Sequence, residues 1–128
     1  MPQAWIVDDD DEMIRAVRLM LQMLDFSVEA YRDARSASRR LLAGARPDVI
    51  VLDINMPEVS GIDMLEFLRT RRELSQLPVV MLSSETTDIQ VDQAMALGAN
   101  AFVFKPVTID ELEAALNKAL QRPAKPAL

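Results

Sequence analysis

Five short apolar runs alternate along this chain with five stretches of helical periodicity, and that alternation restricts the fold more than any other feature. The runs are Ala4-Trp5-Ile6-Val7, Val49-Ile50-Val51-Leu52, Val79 to Leu82 and Ala101 to Phe104, with a weaker one from Phe26 to Tyr31, broken by Ser27 and Glu29. The all-aliphatic third run, between Asp48 and Asp53, is the clearest strand. An unbroken apolar run of this length fits a strand buried on both faces. After the first run, Met13, Val17, Met20, Leu21 and Leu24 recur every three or four residues, marking one side of a helix. Further helices are predicted over Ala34 to Ala43, closed by Gly44 and followed by Pro47; around Met64, Leu65 and Leu68; over Thr87 to Leu97, stopped by Gly98; and over Ile109 to Leu120. Parallel neighbours need crossovers and helices supply them, so the pattern predicts an α/β fold: a parallel sheet with helices on both faces.

The length of 128 residues suits one domain with one core. A net charge of −6 and a pI near 4.6 argue against direct nucleic-acid binding or attraction to anionic lipid. With no apolar run near the ~20 residues that span a bilayer and no basic, apolar leader, the expectation is a cytoplasmic protein with no membrane partner. Cys and His are both absent. That excludes disulfides, thiolate and imidazole metal ligands, and Ser-His or Cys-His nucleophile pairs, leaving carboxylates, hydroxyls and amines for any chemistry.

Ligands of an open α/β sheet bind at the carboxyl ends of its strands. The residues following the apolar runs are Asp8 and Asp9, Asp53, Ser83 and Lys105. Each has a plain structural reading: a solvated helix start for the Asp run Asp8 to Asp11, a turn for Asp53, a cap for Ser83-Ser84, a loop residue for Lys105. That all four groups fall at the same end of the alternating pattern favours a shared site. Crowded carboxylates repel, and a hard divalent cation such as Mg²⁺ relieves this through oxygen ligands. A phosphoryl group could then be held by the Lys charge and the hydroxyl, with Asp53 as nucleophile.

Together, Asp8-Asp9, Asp53-Ile54-Asn55-Met56-Pro57 with Gly61, Ser83-Ser84 and Lys105-Pro106 make the sequence resemble the receiver domain of bacterial two-component response regulators, of the chemotaxis-regulator kind. The likeness runs from about Ala4 to Gln121, so residues 1–121 are expected to form the receiver and residues 122–128, with two prolines, a linker or frayed tail. The resemblance implies a flavodoxin-like sheet of strand order 2-1-3-4-5. It makes Asp53 the phosphoacceptor and Asp9, Asp53 and the Asn55 carbonyl the Mg²⁺ ligands, with Asp8 acting through metal-bound water. Ser83 would hydrogen-bond the phosphoryl group beside the small, cofactor-side Ser84, and Lys105, joined to Pro106 by a cis peptide, would pair with it. Asn55 and Glu85 fall where the family tunes the lifetime of the acyl phosphate. Ser83 and Phe102 fall where a hydroxyl and an aromatic switch the face made by the fourth helix, fifth strand and fifth helix, although the family's commonest residues there are Thr and Tyr.

The implied partner is a sensor histidine kinase or histidine phosphotransfer protein, which must provide the phosphohistidine; an effector domain beyond the tail and a domain that acts alone both stay open. A phosphorylation-dependent homodimer stays open, disfavoured by Asn100-Ala101 where one large group of regulators carries paired acids. The expected activity is self-catalysed phosphotransfer and slow autodephosphorylation rather than turnover of a substrate. The alternatives are a small aspartyl phosphatase, against which Asn55 stands where a second, acid-base Asp would be needed; a flavin-binding domain, against which the strand-end loops are acidic; and a degenerate receiver serving only as a docking module. No Walker-type P-loop string occurs.

Overall fold

The computed structural model describes residues 1–84 and 88–122. The order of elements is β1 (Gln3–Val7), α1 (Asp11–Met23), β2 (Ser27–Tyr31), α2 (Ala34–Leu42), β3 (Val49–Asp53), α3 (Gly61–Thr70), β4 (Val79–Ser83), α4 (Asp88–Ala96), β5 (Ala101–Phe104) and α5 (Ile109–Ala119). All strand pairs are parallel and the sheet order is β2-β1-β3-β4-β5. This is the flavodoxin-like α/β sandwich that the alternation and the resemblance predict. The expected start of the fourth helix at Thr87 and most of the tail, residues 123–128, lie outside the described residues.

The interior strands β1, β3 and β4 carry unbroken apolar runs because each faces two cores. Trp5, Val7, Ile50, Leu52, Val79 and Met81 point into one, filled from α2 and α3 by Ala37, Leu41, Leu65 and Leu68. Their neighbours Ala4, Ile6, Val49, Val51, Val80 and Leu82 point into the other, filled from α1 and α5 by Val17, Leu21, Leu112 and Leu116. Alternate residues of a strand face opposite sides, so every position of a central strand is buried. Each such aliphatic side chain contributes about 1.5–3 kcal/mol relative to exposure.

The helix ends follow local chemistry. Of the four consecutive aspartates, Asp10 is the N-cap of α1, its carboxylate accepting from the N–H groups of Glu12 and Met13. Asp11 and Glu12 occupy the first turn, at the positive end of the helix dipole. Ser60 and Asp63 form a reciprocal capping box that starts α3. Gly44 (φ +108°) ends α2 in a left-handed conformation that costs glycine little. Because all strand pairs are parallel, the carboxyl ends of the five strands lie along one edge of the sheet.

Candidate functional site

Among the described residues the buried polar or charged side chains are Asp8, Asp53 and Ser83. They sit at the carboxyl ends of β1, β3 and β4. Burying two carboxylates and a hydroxyl at one edge of the sheet opposes folding and calls for a chemical reason.

The backbone fixes each group. Asp8 prolongs the β1–β2 ladder, its N–H donating to the Tyr31 carbonyl (3.0 Å), while its Oδ1 accepts from the Asp10 N–H at 2.9 Å. Asp9 follows in the turn and is exposed. Asp53 is the last residue of β3, and the next N–H, of Ile54, donates to the Leu82 carbonyl (2.9 Å), tying this end to β4. The Lys105 N–H donates to the Ser83 carbonyl (2.8 Å), which sets the lysine at the top of β5; the Lys105-Pro106 bond is cis. The Lys105 Nζ then reaches back to 3.0 Å from Asp53 Oδ1 and 3.3 Å from Asp8 Oδ2.

Carboxylate oxygens of Asp8, Asp9 and Asp53 lie within 4.8 Å of one another. At an effective dielectric near 20, unit charges at that separation repel by about 3 kcal/mol, and three carboxylates face a single ammonium. Burial, and then the charge of Asp8, raise the Asp53 pKa to about 6, against the opposing pull of Lys105 and the Asn55 N–H. Burial also raises the pKa of Asp8, although the Asp10 N–H and Lys105 oppose it. Burial opposes the charge on Lys105, but the carboxylates outweigh it and its pKa rises.

Asp53 Oδ1 and Asp8 Oδ2 are fully buried yet accept no hydrogen bond; the ammonium is near both as an ion pair without hydrogen-bond alignment. Two orphaned hard oxygens beside the exposed Asp9 carboxylate are the donor set that a divalent cation of the Mg²⁺ type takes. The residues present therefore fit such an ion.

The raised Asp53 pKa has a consequence for stability. Its folded-state pKa lies above the unfolded value of 3.8, so the protonated form favours the fold, and that contribution is lost as pH rises from about 4 through about 6. In chelator at pH 7–8, Asp53→Asn is thus expected to be more stable than the wild type by up to about 3 kcal/mol, the gap closing toward pH 4. Urea unfolding across that range measures it; a gap independent of pH contradicts it.

The remaining expected residues are placed as follows. The Ser83 hydroxyl donates to Gln90 Oε1 of α4 at 3.4 Å. Asn55 is exposed and its amide donates to the Ser84 hydroxyl (3.3 Å). Phe102, paired with Met81 across β4 and β5, is half-buried with its ring centroid 5.1 Å from that of Phe104. Glu85 lies outside the described residues. One neighbour of the site, Gln90, seven residues past Ser83 on a helix, carries no signal in the sequence. Gly61, one of the residues that carry the resemblance, is the first residue of α3 and packs against the Asp53 carbonyl so closely that no side chain fits.

The chain matches the family model described as response regulator receiver domain over residues 4–117. It is 34% identical over 117 residues to the chemotaxis protein CheY of Pseudomonas aeruginosa, covering 91% of this chain and 94% of that one. It is 35% identical to CheY-3 of Vibrio cholerae, covering 91% and 90%. Among solved structures, V. cholerae CheY4 superposes with a TM-score of 0.85 at 30% identity, covering 94% of this chain and 99% of that one. The signal receiver domain of a histidine kinase from Syntrophus aciditrophicus superposes at 0.83 with 26% identity, covering 100% and 98%. Sequence and fold agree over nearly the full length of both partners in each comparison, and on that footing the chain belongs to the response regulator receiver domains.

Proposed function

We propose that Asp53 accepts a phosphoryl group from a phosphohistidine of a sensor kinase or phosphotransfer protein, with Mg²⁺ bound by the acidic pocket. Receiver domains are signalling phosphoacceptors rather than enzymes with a turnover substrate, and they bind Mg²⁺ at such a pocket. The observation that carries the reading for this chain is the buried Asp53 carboxylate oxygen held 3.0 Å from Lys105 with no hydrogen bond made to it.

With a pKa of about 6, Asp53 is ionised at neutral pH and can act as a nucleophile. Its oxygen attacks phosphorus, the P–N bond to the donor imidazole breaks, and that imidazole leaves with the electron pair and takes up a proton. An acyl phosphate on Asp53 results. The ammonium of Lys105 and the hydroxyl of Ser83 hold phosphoryl oxygens as charge shifts onto them. Asp9 and Asp53, with the Asn55 carbonyl and with Asp8 through water, would hold the cation, which when bound would supply positive charge against that of the incoming phosphoryl group. Asn55 and Glu85, at the sequence positions where the family tunes the lifetime of the acyl phosphate, would set how long it lasts here, and Ser84 would lie on the cofactor side.

Readout follows from Ser83. In the unphosphorylated state its hydroxyl leans toward Gln90 of α4; drawn to a phosphoryl group, it would release that helix. Phe102 follows on β5, and the face of α4, β5 and α5 changes for a partner. Lacking a phenol, Phe102 moves by packing alone.

Incubation with acetyl phosphate and Mg²⁺ tests the proposal by intact mass. The wild type is expected to gain one phosphate and Asp53→Asn none. Equal gain in both, or no gain in either, refutes it, the latter outcome favouring a phosphorylation-independent docking module.

A further inference from the structure

The groove between α2 and α3 takes no part in the chemistry above. It has a volume of about 280 Å³, a floor of Leu42, Val59, Met64 and Phe67, and a rim that includes Arg35 and Arg39. Leu42 is 54% exposed, which leaves its side chain in water at the end of a helix whose other leucine, Leu41, is buried.

The charge around it runs against that of the whole chain. From Arg32 to Arg46 there are five arginines and one acid, Asp33, in a protein of net charge −6. Asp33 is engaged as the N-cap of α2. Arg39 and Arg40 lie in the last turn, where the helix dipole welcomes cations. Arg35 lies in the first turn, where the same dipole disfavours it, so helix stability does not account for it. Arg35 and Arg39 are one turn apart, and like charges at that spacing repel by about 0.2–0.5 kcal/mol. Arg35 meets Glu58 at 3.4 Å in an exposed pair of little worth, and Arg39 makes no ion pair among the described residues.

An apolar strip bordered by two arginines a helical turn apart complements a helix with apolar anchors on one side and two carboxylates a turn apart beside them. We infer that the α2–α3 groove docks an acidic amphipathic helix of a protein partner, its apolar side on Leu42, Val59 and Phe67 and its carboxylates on Arg35 and Arg39. A polyanion such as DNA or a lipid surface has no use for the apolar floor and is repelled by the remainder of the molecule. Asp63, also on the rim, is occupied by the Ser60 N–H of the capping box and excludes carboxylates from that end, which orients the guest. The inference stands apart from phosphorylation and holds even if Asp53 is never modified.

The test titrates ¹⁵N-labelled protein with a synthetic helical peptide of Leu, Ala and Glu, Leu along one side and Glu pairs one turn apart beside it. Saturable amide shifts confined to α2, Val59 and α3 are expected. Arg39→Glu and Leu42→Asp are each expected to weaken binding about tenfold, with folding checked by the dispersion of their amide spectra, while Arg18→Glu on the exposed side of α1 leaves it unchanged. A Glu→Gln version of the peptide should bind about tenfold more weakly. The inference is overturned by shifts centred on any other face, by no saturation up to millimolar peptide, by equal weakening from Arg18→Glu, or by duplex DNA or phosphatidylglycerol vesicles displacing the peptide.

Discussion

Lys105→Met is expected to lower the unfolding free energy by about 3–5 kcal/mol at pH 8 in chelator. The side chain is largely buried, and its ammonium is the one cation within ion-pair distance of Asp8 and Asp53 among the described residues. Removing it leaves two buried carboxylates facing each other with no compensation, a costlier state than never having buried the pair. Proton uptake sets a ceiling on the loss. Lys105 holds the Asp53 pKa down, so in the variant that pKa climbs beyond about 6 and the carboxyl binds a proton more readily. The folded acid being the form with the raised pKa, stability falls as pH rises through it, and the deficit should shrink to about 1 kcal/mol or less near pH 4. Adding Asp53→Asn to Lys105→Met should restore most of the loss, as should millimolar Mg²⁺ in the single variant, since either relieves the same repulsion. Urea unfolding at several pH values is the measurement. A deficit that does not change with pH would mean that lost packing, rather than unbalanced charge, is responsible.

Gly61→Ala should damage both fold and site. A Cβ built at Gly61 would overlap the carbonyl oxygen of Asp53, and would sit 2.8 Å from that carbonyl carbon and 2.9 Å from the Ile54 Cα. These neighbours are backbone, so relief requires moving the segment that carries the phosphoacceptor. Overpacking of this kind costs about 1–3 kcal/mol and occasionally more, and a shift near 1 Å at a reacting group can cost about 10²-fold in rate. The expected result is a destabilised protein whose phosphorylation by acetyl phosphate slows by about 10²-fold even where it is fully folded. Gly44→Ala is the matched comparison. Gly44 has φ +108° but nothing within 4 Å of a would-be Cβ, so that change should cost about 1–2 kcal/mol of backbone strain and leave phosphorylation alone. Equal phosphorylation rates in the two variants would show that the close approach at Gly61 does not position Asp53.

How legible this molecule is from its residues differs by element. Val49 to Leu52 announces itself as a strand because a chain buried on both faces has no polar alternation to confuse the pattern. The apolar runs break off at Leu52 and Leu82, while β3 and β4 continue to Asp53 and Ser83. Hydrophobicity cannot see a strand residue that is buried in order to be polar, and those two residues belong to the site. The Asp run reads as a helix start, but which of its members caps and which is buried depends on strand direction at Val7: Asp8 ends fully buried, Asp9 exposed and Asp10 on the helix N-terminus. Leu74 and Leu77, both buried in the turns between α3 and β4, have no periodicity to betray them. Their burial is a property of the whole sandwich, as is the contact of Gln90 with Ser83. The convergence of Asp8, Asp9, Asp53 and Lys105 was legible because parallel crossovers return every strand in the same direction, which leaves all their carboxyl ends on one edge.

The account rests on Asp53 being the group that takes the phosphoryl. Borohydride reduces an acyl phosphate to the alcohol and releases phosphate, so protein treated with acetyl phosphate and Mg²⁺ can be reduced, digested and mapped by mass. The account predicts conversion of the Asp53 side chain to that of homoserine, absent when Mg²⁺ is chelated. Conversion at Asp8 or Asp9, phosphate retained on Ser83, or an unmodified Asp53 in protein that has gained a phosphate would contradict it.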